Sequence, residues 1–166
     1  MKVPMKRMLA TLAGAASLAS LIVAMPTTAH AAPSVFKFYN ANSGRCLGLD
    51  FDDPSLNTVN TGYECFLKTT HWIVDYGVKG GGLTMLRNRG TGECLDRSST
   101  GGREVYMSPC SSGDPGQWWG STGPFHMTSD WGRYLTGWAD ETVSIAPRDA
   151  VGDMSKATWT AEPQPV

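Results

Sequence analysis

The chain predicts an all-β domain of three pseudosymmetric repeats, and three observations carry that reading. First, Gly-x-[Cys/Tyr]-Leu segments recur at Gly44-Arg45-Cys46-Leu47, Gly92-Glu93-Cys94-Leu95 and Gly132-Arg133-Tyr134-Leu135. Tryptophans Trp72, Trp119 and Trp159 follow Cys46, Cys94 and Tyr134 by 26, 25 and 25 residues. The Cys/Tyr positions are spaced by 48 and 40 and the tryptophans by 47 and 40, so two rulers stay in register over three copies. A fixed period of this size marks a repeat architecture. Second, short apolar or alternating runs at 35–39, 72–76, 83–86, 105–107 and 143–145 read as strands. Clusters of Gly, Ser, Asn, Asp and Pro at 40–44, 52–57, 79–82, 98–102, 111–116 and 149–153 separate them as turns. Third, helical periodicity is weak throughout, and 19 glycines with 10 prolines suit strands and turns better than a helical bundle.

Along the chain, residues 1–32 read as a secretory signal peptide. Lys2, Lys6 and Arg7 supply a positive start, 8–25 is an uncharged Ala/Leu-rich run, and Ala29-His30-Ala31 is a small-x-small cleavage pattern. The same run is just long enough for an uncleaved membrane anchor, but Thr11, Gly14, Ser17 and Ser20 dilute it and Pro26 closes it. Residues 33–166 form the domain, with repeats at about 36–72, 83–119 and 125–159. Cleavage after Ala31 leaves 135 residues, one domain's worth, with 11 basic and 15 acidic side chains. That balance, with no basic stripe, argues against nucleic acid and anionic membranes as partners. The expectation is a monomeric extracellular protein.

Within each repeat the glycine makes the tight turn before a strand. Leu47, Leu95 and Leu135 point inward, and the closing tryptophans fill the bottom of a core that no single repeat could build alone. Trp118, Trp131 and Trp138 have no place in this pattern and are either patch-forming surface contacts or irregular core. All four cysteines lie in the domain, an even number in an exported chain, so disulfides are the default. The repeats pair Cys46 with Cys65 and Cys94 with Cys110. Repeat three has Tyr134 and Arg148 at those places and carries no bridge. Zinc is the rival reading of the cysteines, but there is no CxxC spacing and the domain holds only His71 and His126 as histidines. No metal and no cofactor are expected.

The motifs Cys94-Leu95-Asp96, Cys110 and Gln117-Trp118-Trp119, with degraded copies Thr70-His71-Trp72 and Ala157-Thr158-Trp159, resemble those of the ricin-type β-trefoil. This is a lectin-like module also found as a carbohydrate-binding appendage on secreted bacterial glycosidases. Val105-Tyr106-Met107-Ser108-Pro109-Cys110 and Val143-Ser144-Ile145-Ala146-Pro147-Arg148 resemble the strand that leads to the second cysteine. The resemblance covers Phe36 to Trp159 and implies a β-trefoil.

It also implies one shallow sugar pocket per repeat. An aspartate after Cys-Leu would accept hydrogen bonds from sugar hydroxyls, and an aromatic two residues before the second cysteine would stack on the ring. An amide four residues before that cysteine, and an Asn beside the Gln of Gln-x-Trp, would add hydrogen bonds. A neutral polyol offers hydroxyls and one apolar face, so a carboxylate with an aromatic plate suits it. Repeat one offers Tyr63 as the aromatic and Asp50 as a displaced aspartate, with Gly48 at the usual place and Thr69 and Thr70 for Asn and Gln. Repeat two offers Asp96, Gln117 and Tyr106, with Ser108 at the aromatic place and Gly116 at the Asn place. Repeat three, with Thr136, Ser144, Ala146, Lys156 and Ala157, keeps none of the set. Asp96 has an alternative structural role as a turn cap, and Tyr63 one as a shield of the Cys46–Cys65 bridge.

The function expected is therefore non-catalytic binding of neutral, galactose- or xylose-type sugars on polysaccharide or glycoconjugate. An enzyme is disfavoured, because there is no Gly-x-Ser-x-Gly, no HExxH and no free catalytic cysteine once all four are bridged. The other alternative is a trefoil that contacts proteins through its loops, its sugar pockets eroded, since fold does not imply function.

Overall fold

The computed structural model describes residues 34–50, 52–53, 57–76, 82–98, 102–122, 126–129 and 132–165. The segment expected to be a signal peptide and Trp131 lie outside them. The described residues form twelve strands, four per repeat. Repeat one holds β1 (Ser34–Asn40), β2 (Cys46–Leu49), β3 (Val59–Gly62) and β4 (Trp72–Tyr76). Repeat two holds β5 (Thr84–Asn88), β6 (Cys94–Arg97), β7 (Val105–Ser108) and β8 (Trp119–Thr122). Repeat three holds β9 (His126–Ser129), β10 (Tyr134–Gly137), β11 (Val143–Ala146) and β12 (Trp159–Gln164), and its one short helix, α1, spans Arg148–Val151.

Every strand pair is antiparallel. β1, β4, β5, β8 and β9 are successive neighbours, and β12 lies along β1 in register from Val35↔Gln164 to Asn40↔Trp159. The inner hairpins β2–β3, β6–β7 and β10–β11 meet one another through single bridges, Thr58↔Tyr106, Asn60↔Thr142 and Glu104↔Ser144. One such bridge joins each pair of repeats at this end. The arrangement is the threefold β-trefoil.

The repeat markers take the structural places expected of them. Gly44, Gly92 and Gly132 have φ of 68°, 80° and 70°, a left-handed conformation that side chains with a Cβ resist. Leu47, Leu95 and Leu135 are fully buried, as are Trp72, Trp119 and Trp159 to within 2%. Each indole donates to the leucine carbonyl of its own repeat: Trp72 Nε1 to Leu47 O at 3.0 Å, Trp119 Nε1 to Leu95 O at 2.9 Å and Trp159 Nε1 to Leu135 O at 2.9 Å. Val59, Val105 and Val143 complete the same layer of one contiguous core.

Both expected disulfides are present, Cys46–Cys65 with Cα atoms 5.6 Å apart and Cys94–Cys110 at 5.0 Å. Repeat three substitutes packing for its missing bridge: Ala146, Val151 and Ala157 form a satellite cluster against which Tyr134, Trp138 and Met154 pack. Trp138 is thus half-buried. Trp118 takes the irregular-core alternative rather than the surface one. It is 1% exposed, packed with Met85 and Cys94, and its Nε1 donates to Ser112 O at 3.2 Å. The indole fills space behind the second disulfide, a role that the spacing of the repeats does not reveal.

Two buried asparagines knit the repeats. Asn88 Oδ1 accepts from the amides of Gly90 (2.9 Å) and Thr91 (3.3 Å), and its Nδ2 donates to Thr69 O of repeat one at 2.8 Å. Asn40 repeats the pattern, accepting from Asn42 N and Ser43 N and donating to Lys156 O of repeat three at 2.7 Å. Removing either side chain strands buried polar groups. Asn88→Ala should therefore destabilise the domain by about 2–3 kcal/mol, read as a lower urea midpoint at unchanged slope.

His71, before the core Trp72, is half-buried, and burial lowers its pKa from 6.5 with the nearby Lys37 and Arg89 charges adding to the effect. The folded imidazole thus resists a proton that the unfolded one takes up. That contribution to stability is intact above the unfolded pKa and is lost as pH falls below it. The wild-type melting temperature should drop between about pH 7.5 and 5.5, and His71→Gln should flatten that drop.

Candidate functional site

The β2–β3 hairpin shapes a cleft in repeat one. Beyond β2, Asp50 N donates to Thr58 O at 2.7 Å, and Asp50 Oδ1 accepts from the amides of Asp52 (2.9 Å) and Asp53 (3.1 Å). This Asx turn fixes the carboxylate's direction. β3 carries Asn60 and ends at Gly62. Tyr63 follows in a turn where Cys65 N donates to Tyr63 O at 2.9 Å, clamped by the Cys46–Cys65 bridge. The cleft between these parts has a volume of about 250 Å³ and is lined by Asp50, Asp52, Asn60, Gly62, Tyr63, Glu64 and Glu141.

Glu141 comes from repeat three. Its carbonyl accepts from Thr61 N at 2.8 Å, and its φ of 73° is a conformation that a residue with a side chain adopts only where its surroundings enforce it. Its carboxylate pairs with Arg45. The Arg45 guanidinium in turn lies 4.4 Å from the centre of the Tyr63 ring, a cation–π contact that holds the ring upright. Tyr63 is 73% exposed, so it is a braced plate at the lip of the cleft rather than a packed side chain.

Repeat two is built differently. Asp96, on β6, is 2% exposed. Its Oδ2 accepts from Ser108 Oγ at 2.5 Å and Gln117 Nε2 at 3.3 Å, and its Oδ1 accepts from Arg97 N at 2.7 Å. Gln117 Nε2 also donates to Ser108 Oγ (2.6 Å) and Pro109 O (3.0 Å), while Gln117 Oε1 accepts from Ser111 N at 2.8 Å. The carboxylate that would receive sugar hydroxyls is thus engaged by the protein itself. Gly116 closes over it: a Cβ there would collide with Asp96 Oδ1 and lie 2.7 Å from Arg97 O. The asparagine that the resemblance would place at Gly116 has no room.

Tyr106 sits opposite Asp96 across the β6–β7 pair and is 37% exposed. Burial, then the charges of Asp96, Asp114 and Glu104, push its hydroxyl pKa above the usual 10.0, so it stays a hydrogen-bond donor at neutral pH. In repeat three Thr136 is fully buried with its Oγ1 donating to Tyr134 O, and Ser144 Oγ accepts from Trp138 Nε1 at 2.7 Å.

The structure therefore brings Asp50 and Tyr63 together in one open cleft, and Asp96, Gln117 and Tyr106 together in a mostly closed cluster. Sequence reasoning missed Asn60, Arg45 and Glu141. Arg45 was visible inside the repeat motif Gly44-Arg45-Cys46, but no linear signal links Glu141 to a site about eighty residues earlier. Among the described residues no group of His, Cys, Asp and Glu could hold a metal ion, and no helix is long and apolar enough to cross a membrane.

No protein-family model and no curated protein matches this chain. Solved structures do. The chain is similar to the C-half of the earthworm R-type lectin, solved in complex with GalNAc, over 80% of this chain and 100% of that one at TM-score 0.58 and 14% identity. It is similar to the designed threefold-symmetric protein ThreeFoil over 76% and 96%, at TM-score 0.61 and 19% identity. It is also similar to part of a GlcNAcα1-4Gal-releasing endo-β-galactosidase from Clostridium perfringens, over 80% of this chain and 33% of that one, at TM-score 0.61 and 17% identity. The chain spans a third of that enzyme. These likenesses establish the fold as a β-trefoil.

The internal bonding of Asp96 gives a direct test. Replacing Oδ2 with an amide nitrogen turns an acceptor of two donated hydrogen bonds into a donor. Asp96→Asn should therefore lower stability by about 1–3 kcal/mol, read as a shifted denaturant midpoint.

Proposed function

We propose that this protein is a secreted, non-catalytic carbohydrate-binding module whose working site is the repeat-one cleft. The observation that carries this reading is the meeting of a braced, exposed Tyr63 with Asp50 and Asn60 in one open cleft. The tyrosine offers a plate for the C–H face of a sugar ring, and the carboxylate and amide offer partners for its hydroxyls. The acidic residues that line the cleft favour a neutral ligand of galactose or xylose type over an anionic one. Asp96 and Gln117 hold the corresponding place in repeat two with Tyr106 exposed beside them, and the bonding of Asp96 to Gln117 and Ser108 supports a structural role for that pair. Two disulfides and the leader sequence support an extracellular setting.

Binding without turnover fits the same geometry. Glycoside hydrolysis needs one carboxyl group kept protonated and a second held about 5–9 Å across the scissile bond. Here Asp50 is oriented by two amides and Glu141 is ion-paired with Arg45, so both carboxylates are engaged by the protein itself. The second reading, a protein-interaction trefoil, draws on the closure of repeat two and on the burial of Thr136 and the engagement of Ser144 by Trp138 in repeat three. Silence of a folded sample on a neutral-glycan array would favour it.

A single shallow pocket should bind near millimolar, about −4 kcal/mol. Titration with the best array ligand should find Tyr63→Ala inactive and Asp50→Asn weakened by about tenfold or more. Thr136→Ala in repeat three should bind as wild type. Binding that survives Tyr63→Ala but vanishes in Asp96→Asn would move the site to repeat two.

A further inference from the structure

We propose that Phe66 is a second sugar-stacking subsite beside Tyr63, so that the cleft reads consecutive units of a neutral oligosaccharide chain rather than one terminal sugar. The inference rests on the reading of the cleft as a sugar site. Among the described residues three large hydrophobic side chains are exposed: Tyr106 at 37%, Tyr63 at 73% and Phe66 at 76%. The two most exposed lie three residues apart on one loop, and the first of them, Tyr63, lines the cleft. A lone exposed phenylalanine needs no explanation, but one beside an exposed tyrosine that is already braced against a binding cleft does.

The loop holds both rings in place. The Cys46–Cys65 bridge anchors it between them, Leu67 N donates to Glu64 O at 3.2 Å, and Thr70 N donates to Leu67 O at 3.0 Å. Ordering this segment therefore costs little when ligand arrives, and aromatic side chains give large contact area for few torsions. Three residues of chain span at most about 10 Å, which keeps the rings within reach of neighbouring units of one chain. The chemistry between them selects the occupant. Exposed Glu64 separates the rings, and Asp50 and Asp52 line the cleft beside them. This alternation of aromatic plates with hydroxyl acceptors fits a neutral glycan, repels a polyuronate, and lacks the continuous apolar surface that a protein partner would bury.

The test is calorimetric titration of the full domain with a ladder of neutral xylo- or galacto-oligosaccharides from one to four units. The wild type should gain about fivefold or more in affinity from mono- to trisaccharide. Phe66→Ala should collapse that trisaccharide-to-monosaccharide ratio, Phe66→Trp should retain it, and Tyr63→Ala should lose both ligands. A ratio unchanged in Phe66→Ala, with monosaccharide still bound, overturns the subsite and leaves the function reading standing. Wild type that binds no member of the ladder overturns both. Equal affinity for a uronate oligomer of the same length overturns the neutral-chain assignment. A concentration-dependent dimer that Phe66→Ala abolishes reassigns the patch to self-association.

Discussion

The structure depends on one hydrogen bond made three times, from a core indole N–H to the carbonyl of the leucine at the second position of the second strand of its repeat. A buried indole must satisfy its single donor, and here the partner is backbone on a strand whose far end is fixed by a glycine turn. The bond joins the entry and exit of each repeat at the bottom of the core, at sequence separations of 25, 24 and 24. What lies between can change without disturbing it. That freedom explains how a disulfide in two repeats and an apolar cluster in the third serve the same position.

The same freedom let the three surfaces diverge. In repeat two, a small serine and a glycine let the carboxylate of Asp96 fold into a network with Gln117, gaining order at the expense of access. In repeat one, the displaced Asp50 leaves room, and the gap is lined from outside the repeat by Glu141. Arg45 couples the two, touching the tyrosine with one surface and the glutamate with another. The cleft is thus a property of the trefoil as a whole and not of the repeat that names most of its residues.

The fold was legible in the sequence because its determinants are local and periodic: a left-handed glycine, an inward leucine, a tryptophan at fixed distance. The disulfide pairing followed from the same period. The candidate site was legible only in part. Tyr63 and Asp50 could be placed by their offsets from Cys46 and Cys65, but the Arg45 that braces Tyr63 is itself held by Glu141, from a turn in another repeat. Asp96 carries the right residue type in the right place, yet its accessibility is set by Gly116 and Ser108, whose effect is steric and visible only in three dimensions. Trp118 and the asparagines Asn40 and Asn88 were invisible for a related reason, since a polar or aromatic residue within a turn reads as surface until its partners are known.

The pairing of β1 with β12 has a consequence for how the molecule comes into being. The two disulfides close short stretches, with separations of 19 and 16 residues, and each can form within its own repeat. β1, by contrast, pairs along one edge with β2 and β4 of its own repeat but finds the six partners of its other edge at 159–164, the far end of the domain. Contacts this distant in sequence make a slow closing step. Until it happens, β1 keeps one row of backbone groups unpaired, the kind of edge that recruits strands from other chains. Lys37, midway along β1, is the residue type that discourages such pairing, and in the finished fold it stands opposite Glu162.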